Sequence, residues 1–526
     1  MSRSAVLSLP VSVLRATALC AVLALSGPAV SLAAYNPPSH NVAWQPAAAD
    51  ADIDKAFAQG KAEKKPVLVY WGAAWCPPCN QLKATLFNRQ DFAERSKSFV
   101  AVHIDGDAPG AQKLGSRFKV RGYPTVILFN PEGQEITRLP GEVDAPQVMN
   151  VLQMGLAGGR PIKAVLADAR AGKPLPANEW RLLAFYSWDT DEAQLVPAAE
   201  RPGLLAQLAA AAPAAEVETS TRLLLKSLAE TDAGKPAAVS AAQRERVLKV
   251  VADAAASRTQ MDVIVNYAPD LVSALAPQAG PERKSTAAAV DTALQRLQAD
   301  TTLSRSDRLS ALMARVGVAR LDQPKEAMKP QLPDALVKQV RDMAATLDRE
   351  ITDGYERQAV ITSAAYALGQ AGLWKESDAL LKANLAKSHS PYYLMSQLGG
   401  NAKKQGRKDD ALAWYAQAFA KSEGPATRLQ WGSSYFAALI ELSPKDAATI
   451  EKVAAQLFTE AGNQQGAFYE RSARSLQKVG TQLGQWNKGG QHQAVVDRLK
   501  AQLAPVCGKL PAADGQKATC DGLIKA

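Results

Sequence analysis

The sequence predicts a multidomain chain: an α/β domain over residues 50–157, then an all-α helical-repeat region. Three observations carry this. At 526 residues the chain is too long for one small fold, since a domain takes about 100–200 residues. Between residues 50 and 157, helix-like and strand-like segments alternate. Beyond Gly158-Gly159 the strand signals nearly vanish and Ala, Leu, Gln, Lys and Arg dominate. A composition of 47% hydrophobic and 21% charged residues argues against long disorder and against a polytopic membrane protein. The net charge of +10 is spread without a run of five basic residues, so no nucleic-acid partner is expected.

The first element is an address. Arg3 and Arg15 precede an apolar run, Ala16 to Leu25, which ends at Ser26-Gly27-Pro28 before Ser31-Leu32-Ala33. The run is short for a bilayer span and small residues suit a cleavage site, so residues 1–33 read as a signal peptide cut after Ala33. The expected location is the periplasm or outside the cell. A retained N-terminal membrane anchor is the rival reading. Cleavage removes Cys20 and leaves Cys76, Cys79, Cys507 and Cys520, an even number that suits an oxidising compartment.

Residues 34–49 read as a Pro- and Ala-rich lead-in linker. Asp50 to Lys61 places Ile53, Ala56 and Phe57 at helical spacing, with Asp50 or Asp52 available to cap it. Pro66 to Trp71 is continuously apolar, as a buried central strand requires. Trp75-Cys76-Pro77-Pro78-Cys79 follows and opens a helix whose Leu82 and Leu86 share a face. Phe99 to Ile104 reads as a strand, Ala111 to Phe118 as a helix and Thr125 to Phe129 as a strand. Asn130-Pro131-Glu132-Gly133 turns that strand into Gln134 to Leu139, giving an antiparallel hairpin, and Ala145 to Leu156 closes the domain as a helix.

This arrangement, with Trp75, Cys76, Cys79, Gly122-Tyr123-Pro124-Thr125 and Gly141, resembles the thioredoxin superfamily. Half of a zinc site would also show Cys-x-x-Cys, but Cys507 and Cys520 stand thirteen apart and the His residues have no ligand spacing, so no metal is expected. The resemblance implies a thioredoxin fold and a protein-disulfide oxidoreductase needing no cofactor beyond its redox-active disulfide. Cys76, at the start of a helix, is the nucleophile because unpaired N–H groups and the helix dipole stabilise its thiolate. Cys79, one turn inside, resolves the mixed disulfide. Pro77 and Pro78 remove N–H groups from the first turn and Trp75 shapes the site. By the same resemblance Pro124 is cis and faces the cysteines, and Tyr123 offers its backbone to a substrate strand. The chain departs from the family in one place. The family's buried acid and its lysine partner fall at Tyr70 and Ala101, which leaves Glu63, Asp105 or a water to take the proton of Cys79.

From residue 160 helices are expected throughout: an α-helical region over 160–350 and tetratricopeptide-like repeats over 351–500. Gly372 and Gly406 stand 34 residues apart, and each precedes an amphipathic helix, Trp374 to Leu385 and Lys408 to Ala420. Leu398-Gly399, Ala411, Tyr415 and Ala418 give the second unit the spacing of a tetratricopeptide repeat, which it resembles. A lone repeat cannot bury its face, so Thr427–Leu442, Ala447–Ala461 and Gly466–Val479 are expected to stack on it. Such a solenoid either only steadies the redox domain or binds a protein partner. His389 and His492 lack any catalytic company.

Residues 501–526 read as a C-terminal tail in which Cys507 and Cys520 form a structural disulfide or, alternatively, a second redox pair. The expectation for the whole is an exported thiol:disulfide oxidoreductase, reductase or isomerase rather than oxidase. It would act on protein thiols and disulfides, with a membrane electron carrier as a further partner. The alternative is a non-catalytic assembly scaffold or holdase with a vestigial redox domain.

Overall fold

A mixed sheet of five strands, in the order β1-β3-β2-β4-β5, positions the site. The computed structural model describes residues 37–141, 144–191, 194–230 and 239–524. The signal segment with its cleavage after Ala33, and Cys20, lie outside the described residues. The strands are β1 (Gln45–Pro46), β2 (Val67–Gly72), β3 (Val100–Asp105), β4 (Thr125–Phe129) and β5 (Glu135–Leu139). The first five helices are α1 (Asp50–Glu63), α2 (Pro77–Leu82), α3 (Gln90–Ser96), α4 (Ala111–Phe118) and α5 (Ala145–Leu156). Asp52 caps α1 from its first turn, accepting the N–H groups of Ala48 and Ala49, each at 2.9 Å.

β2 is central, parallel to β3 and antiparallel to β4. Both of its faces are therefore covered, and its run of apolar residues follows from that. Val67, Val69 and Trp71 pack with Ile53 and Ala56 of α1 and with Leu114 and Phe118 of α4. Leu68 and Tyr70, on the other face, pack with Leu82, Leu86, Phe87 and Phe92. The α2 helix continues past Leu82 through a π turn over Lys83–Phe87, which carries Leu86 and Phe87 into this second core.

The domain limits expected at 49/50, 157/160, 350/351 and 500/501 are not physical breaks. Gln45 and Pro46 pair with Val102 and His103, and Val42, Trp44 and Ala47 are buried, so the expected linker is the edge of the sheet. The core on the α2 side runs on into Val165, Leu183, Leu205 and Leu224 of the helical region. Leu312, Val340 and Val360, on either side of residue 350, share one core. The helix Gln493–Gly508 passes through residue 500, and Cys507 and Cys520 lie in a core with Leu483, Leu499 and Leu503 rather than in a tail. Apolar helix faces demand cover, and the last three of these boundaries cross such a face.

The helical region consists of successive hairpins. Gly372 and Gly406, at φ +80° and +73°, terminate helices Gly354–Gln370 and Pro391–Lys404. Partners Trp374–Asn384 and Lys408–Lys421 fold back on them. Gly399 leaves room for the Tyr415 ring, which a Cβ there would meet at 3.1 Å. Helices Pro425–Leu442, Ala447–Gly462 and Glu470–Trp486 follow. Among the described residues no helix is long and apolar enough to cross a membrane.

Candidate active site

The chain leaves β2 at Gly72 and reaches Cys76, the N-cap of α2, whose Sγ is joined to Cys79. Pro77 and Pro78 occupy the first two helical positions, so two donors that would point at an N-cap group are absent. The remaining one, the Cys79 N–H, donates to Cys76 Sγ at 3.2 Å. Asn80, fully buried, holds the approach loop: its Nδ2 donates to the carbonyls of Ala74 at 2.7 Å and Cys76 at 2.9 Å. Cys76 itself is only 2% exposed.

Beneath the motif lies a layer of buried titratable groups on the α2 side of the sheet. Tyr70, in the place of the family's acid, stacks on His103 at 5.2 Å and leaves no room for any side chain at Gly72. Burial pushes the Tyr70 phenol up and lowers His103 to about 3. Asp105, level with Gly72 in the β2–β3 register, has its carboxyl raised by burial and by neighbouring Asp107. Lys83, four residues after Cys79, is buried with its ammonium 5.0 Å from the Tyr355 ring centre, and burial lowers its pKa against the pull of Asp105. Glu63 is exposed at the entry end of β2, far from the motif, and pairs with Lys65.

On the opposite flank the Tyr123–Pro124 peptide is cis. The Tyr123 ring reaches back over Gly106, where a Cβ would meet its Oη at 2.6 Å, and Gln112 Nε2 donates to that Oη and to the Gly106 carbonyl. Gly141 abuts Pro124.

The helical region supplies the rest of the surroundings. The Trp75 indole N–H donates to Thr427 Oγ1 at 2.8 Å, and its ring stacks on Tyr393 and meets Trp431 edge-on. Gln358 Nε2 donates to the Trp75 carbonyl. The Arg471 guanidinium lies between Trp75 and Tyr123, 5.4 and 5.1 Å from their ring centres, and its backbone N–H donates to Gln112 Oε1. Ser116 donates to Glu470 Oε1, and Gln81 of α2 bonds Ser306 and Asp307. Helix Gly354–Gln370 packs along α2 itself.

A protein-family model for a thioredoxin-like domain matches residues 53–155. Residues 53–155 are a thioredoxin-like domain. Curated relatives match over similar lengths. Thiol:disulfide interchange protein DsbD 1 of Pseudomonas aeruginosa is 30% identical over 113 residues, 21% of this chain and 19% of that protein. DsbD 2 of the same organism is 33% identical over 99 residues, 18% of this chain and 17% of that one. DsbD of Klebsiella pneumoniae is also 33% identical over 99 residues, 18% of this chain and 16% of its own length. The matches thus span less than a fifth of these relatives. A solved thioredoxin from Thermus thermophilus aligns at 25% identity over 22% of this chain and 85% of its own, with a TM-score of 0.19. The thioredoxin-like domain carries its Cys76–Cys79 disulfide, and the relatives it resembles are named thiol:disulfide interchange proteins.

The structure brings together Trp75, Cys76, Pro77, Pro78, Cys79, Tyr123 and Pro124, and sets Cys507–Cys520 apart as a buried link between helices Gln493–Gly508 and Gly515–Asp521. His389 contacts Tyr355 and Ser390, and His492 stacks on Trp486. Among the described residues no group of three or more His, Cys, Asp or Glu side chains is placed to hold a metal ion. Sequence reasoning missed Asn80, Lys83, Tyr393, Thr427, Trp431, Glu470, Arg471 and Arg474. A polar or aromatic residue at these helix positions carries no local mark of the distant strand it will meet. Asn80 alone had a signal, as a polar residue inside the first turn after the motif.

Proposed function

We propose that the chain is an exported, periplasmic thiol:disulfide oxidoreductase in which Cys76 attacks and Cys79 resolves. The observation that carries this is the Cys76–Cys79 disulfide at the first turn of α2, opening on a cleft between the redox domain and the helices. In the reducing direction the Cys76 thiolate attacks one sulfur of a substrate disulfide, and the other sulfur leaves as a thiolate that takes up a proton. Cys79, once deprotonated, attacks Cys76 Sγ and releases the second substrate thiolate. The substrate gains two electrons and the Cys76–Cys79 bond holds the oxidised state. Of the two carboxylates named for the Cys79 proton, Asp105 stands at the motif's end of the sheet, and its raised pKa suits a proton acceptor.

Reduction or isomerisation is favoured over oxidation because only α2 with its π turn and the short elements α3, β3 and α4 separate the motif from β4, leaving no room for a large helical insertion. The helical region serves as the partner-binding part, since its residues wall the cleft. The test is trapping: Cys79→Ser should accumulate mixed disulfides with periplasmic proteins and Cys76→Ser should accumulate none. Equal capture by both variants defeats the reading. The near-complete burial of Cys76 favours the alternative, a scaffold or holdase, and partner binding indifferent to both cysteines would select it.

A further inference from the structure

The groove beside the cis peptide is roofed by the helical region. Tyr123 and Pro124 face a cavity of about 90 Å³ whose other walls include Thr190, Lys226, Asp262 and Val263. That is room for a few water molecules. A strand laid along Tyr123 needs a lane about 4.8 Å wide that runs clear past both ends of the residue. Pro124 is itself buried.

The roof is fastened. The Arg121 N–H donates to the Thr190 carbonyl at 3.3 Å, Val120 bridges Asp191 in antiparallel fashion, and the Arg138 guanidinium donates to the same Thr190 carbonyl at 2.9 Å. Asp262, on helix Met261–Leu275, accepts two bonds from Arg222 of helix Val217–Ala229. Val263 belongs to the core that also holds Leu128 of β4 and Leu224. Lifting this cover would expose apolar surface that the two regions share, and the hydrophobic effect opposes that.

The outer side of α2 is closed as well. Pro77, Pro78 and Gln81 meet Ser306 and Asp307 across a cavity of about 140 Å³. Cys76 lines neither of these cavities. It lines a cleft of about 270 Å³ walled by the flat side chains of Trp75, Tyr123, Tyr393 and Arg471. Tyr393 stacks on Trp75 at 6.0 Å, and Tyr123 contributes its ring beneath the Arg471 guanidinium. A cleft of this size takes a cysteine and little more on either side of it.

Resting on the exchange reading above, we infer that the substrate is a protein disulfide on a slim protruding segment that enters this cleft sulfur first, and that it is not laid as a strand along Tyr123–Pro124. The helical region thereby selects substrates by girth, and Tyr393 is a specificity-determining residue. The chemistry is unchanged: Cys76 Sγ bonds the leading substrate sulfur and the other sulfur leaves as a thiolate.

The full chain, reduced at Cys76–Cys79, is mixed with symmetric disulfide dimers of capped tripeptides. In one the cysteine stands between Ala residues, in another the same peptide is N-methylated at the cysteine and the residue after it, and in a third the cysteine stands between Trp residues. Loss of protein thiols is followed in a single turnover, and each rate is divided by that of the same peptide with reduced glutathione in solution. N-methylation removes the main-chain donors that strand pairing uses, so it should slow exchange by less than about threefold. Trp flanks should slow it roughly tenfold or more. Tyr393→Ala should shrink the Ala-to-Trp rate ratio, and the wild-type rates decide alone if that variant fails to fold. A larger loss on N-methylation, equal rates with Ala and Trp flanks, or an unmoved ratio in folded Tyr393→Ala overturns the inference and leaves exchange standing. Failure of every peptide to oxidise the protein overturns the exchange reading beneath it.

Discussion

The Trp75 indole donates its N–H to the hydroxyl of Thr427 at 2.8 Å, tying the residue before Cys76 to a helix 352 positions further along the chain. Thr427 passes the contact on, donating its N–H and hydroxyl to Asp107 at 2.7 and 2.5 Å. Thr427→Val keeps the shape and removes the hydroxyl, stranding the indole donor and one carboxylate oxygen. A loss of about 1–3 kcal/mol is expected for such partly buried groups. Urea unfolding should show a lower midpoint at unchanged slope, and an unmoved midpoint contradicts the role.

Pro78 gives the sign of an effect at Cys76. An N-cap group accepts from the second or third helical N–H, and here only the third, from Cys79, is present. Pro78→Ala restores the second donor and should lower the Cys76 thiolate pKa by roughly half a unit to one unit. The pH dependence of Cys76 alkylation in the reduced protein measures this, and a rise refutes it.

His103 sets a pH dependence of stability. Burial, with the Lys83 charge second, holds the imidazole near 3 against an ordinary 6.5. The unfolded chain therefore binds a proton that the folded one refuses. Stability is full above pH 6.5 and falls as the pH drops through the window from 6.5 to 3. The loss is at most about 4–5 kcal/mol. His103→Phe, which preserves a ring against Tyr70, should flatten the slope in that window relative to wild type. Parallel slopes would exclude His103 as its source.

The Cys507–Cys520 bond joins two helices in a buried core. Replacing both cysteines by serine should lower stability by up to about 3 kcal/mol, from the 14-residue loop it closes. Peptide exchange at Cys76 should persist. Loss of exchange with intact folding would make this pair part of the redox relay.

What the sequence showed of this fold depended on range. The apolar run of β2, the Asn130–Gly133 turn and the helix stops at Gly372 and Gly406 are local, and each stands where its residues require. The cysteine pair and Tyr123-Pro124 were legible because the motif carries its own spacing. The wall of the site was not. Thr427, Glu470, Arg471 and Arg474 sit on amphipathic helices whose polar positions read as solvated until the fold places them against Trp75, Ser116 and Tyr123. Residues 42–47 read as linker for a related reason: a two-residue strand such as β1 is too short to show alternation.

If Cys76–Cys79 turns over and Cys507–Cys520 holds the fold, one titration separates the two pairs directly. The oxidised full chain is equilibrated with graded ratios of reduced to oxidised glutathione, alkylated, and each cysteine's modification is read by mass. Alkylation should appear at Cys76 and Cys79 together while Cys507 and Cys520 remain bonded until far more reducing ratios. Reduction of all four cysteines at one ratio, or of Cys507–Cys520 first, would contradict it.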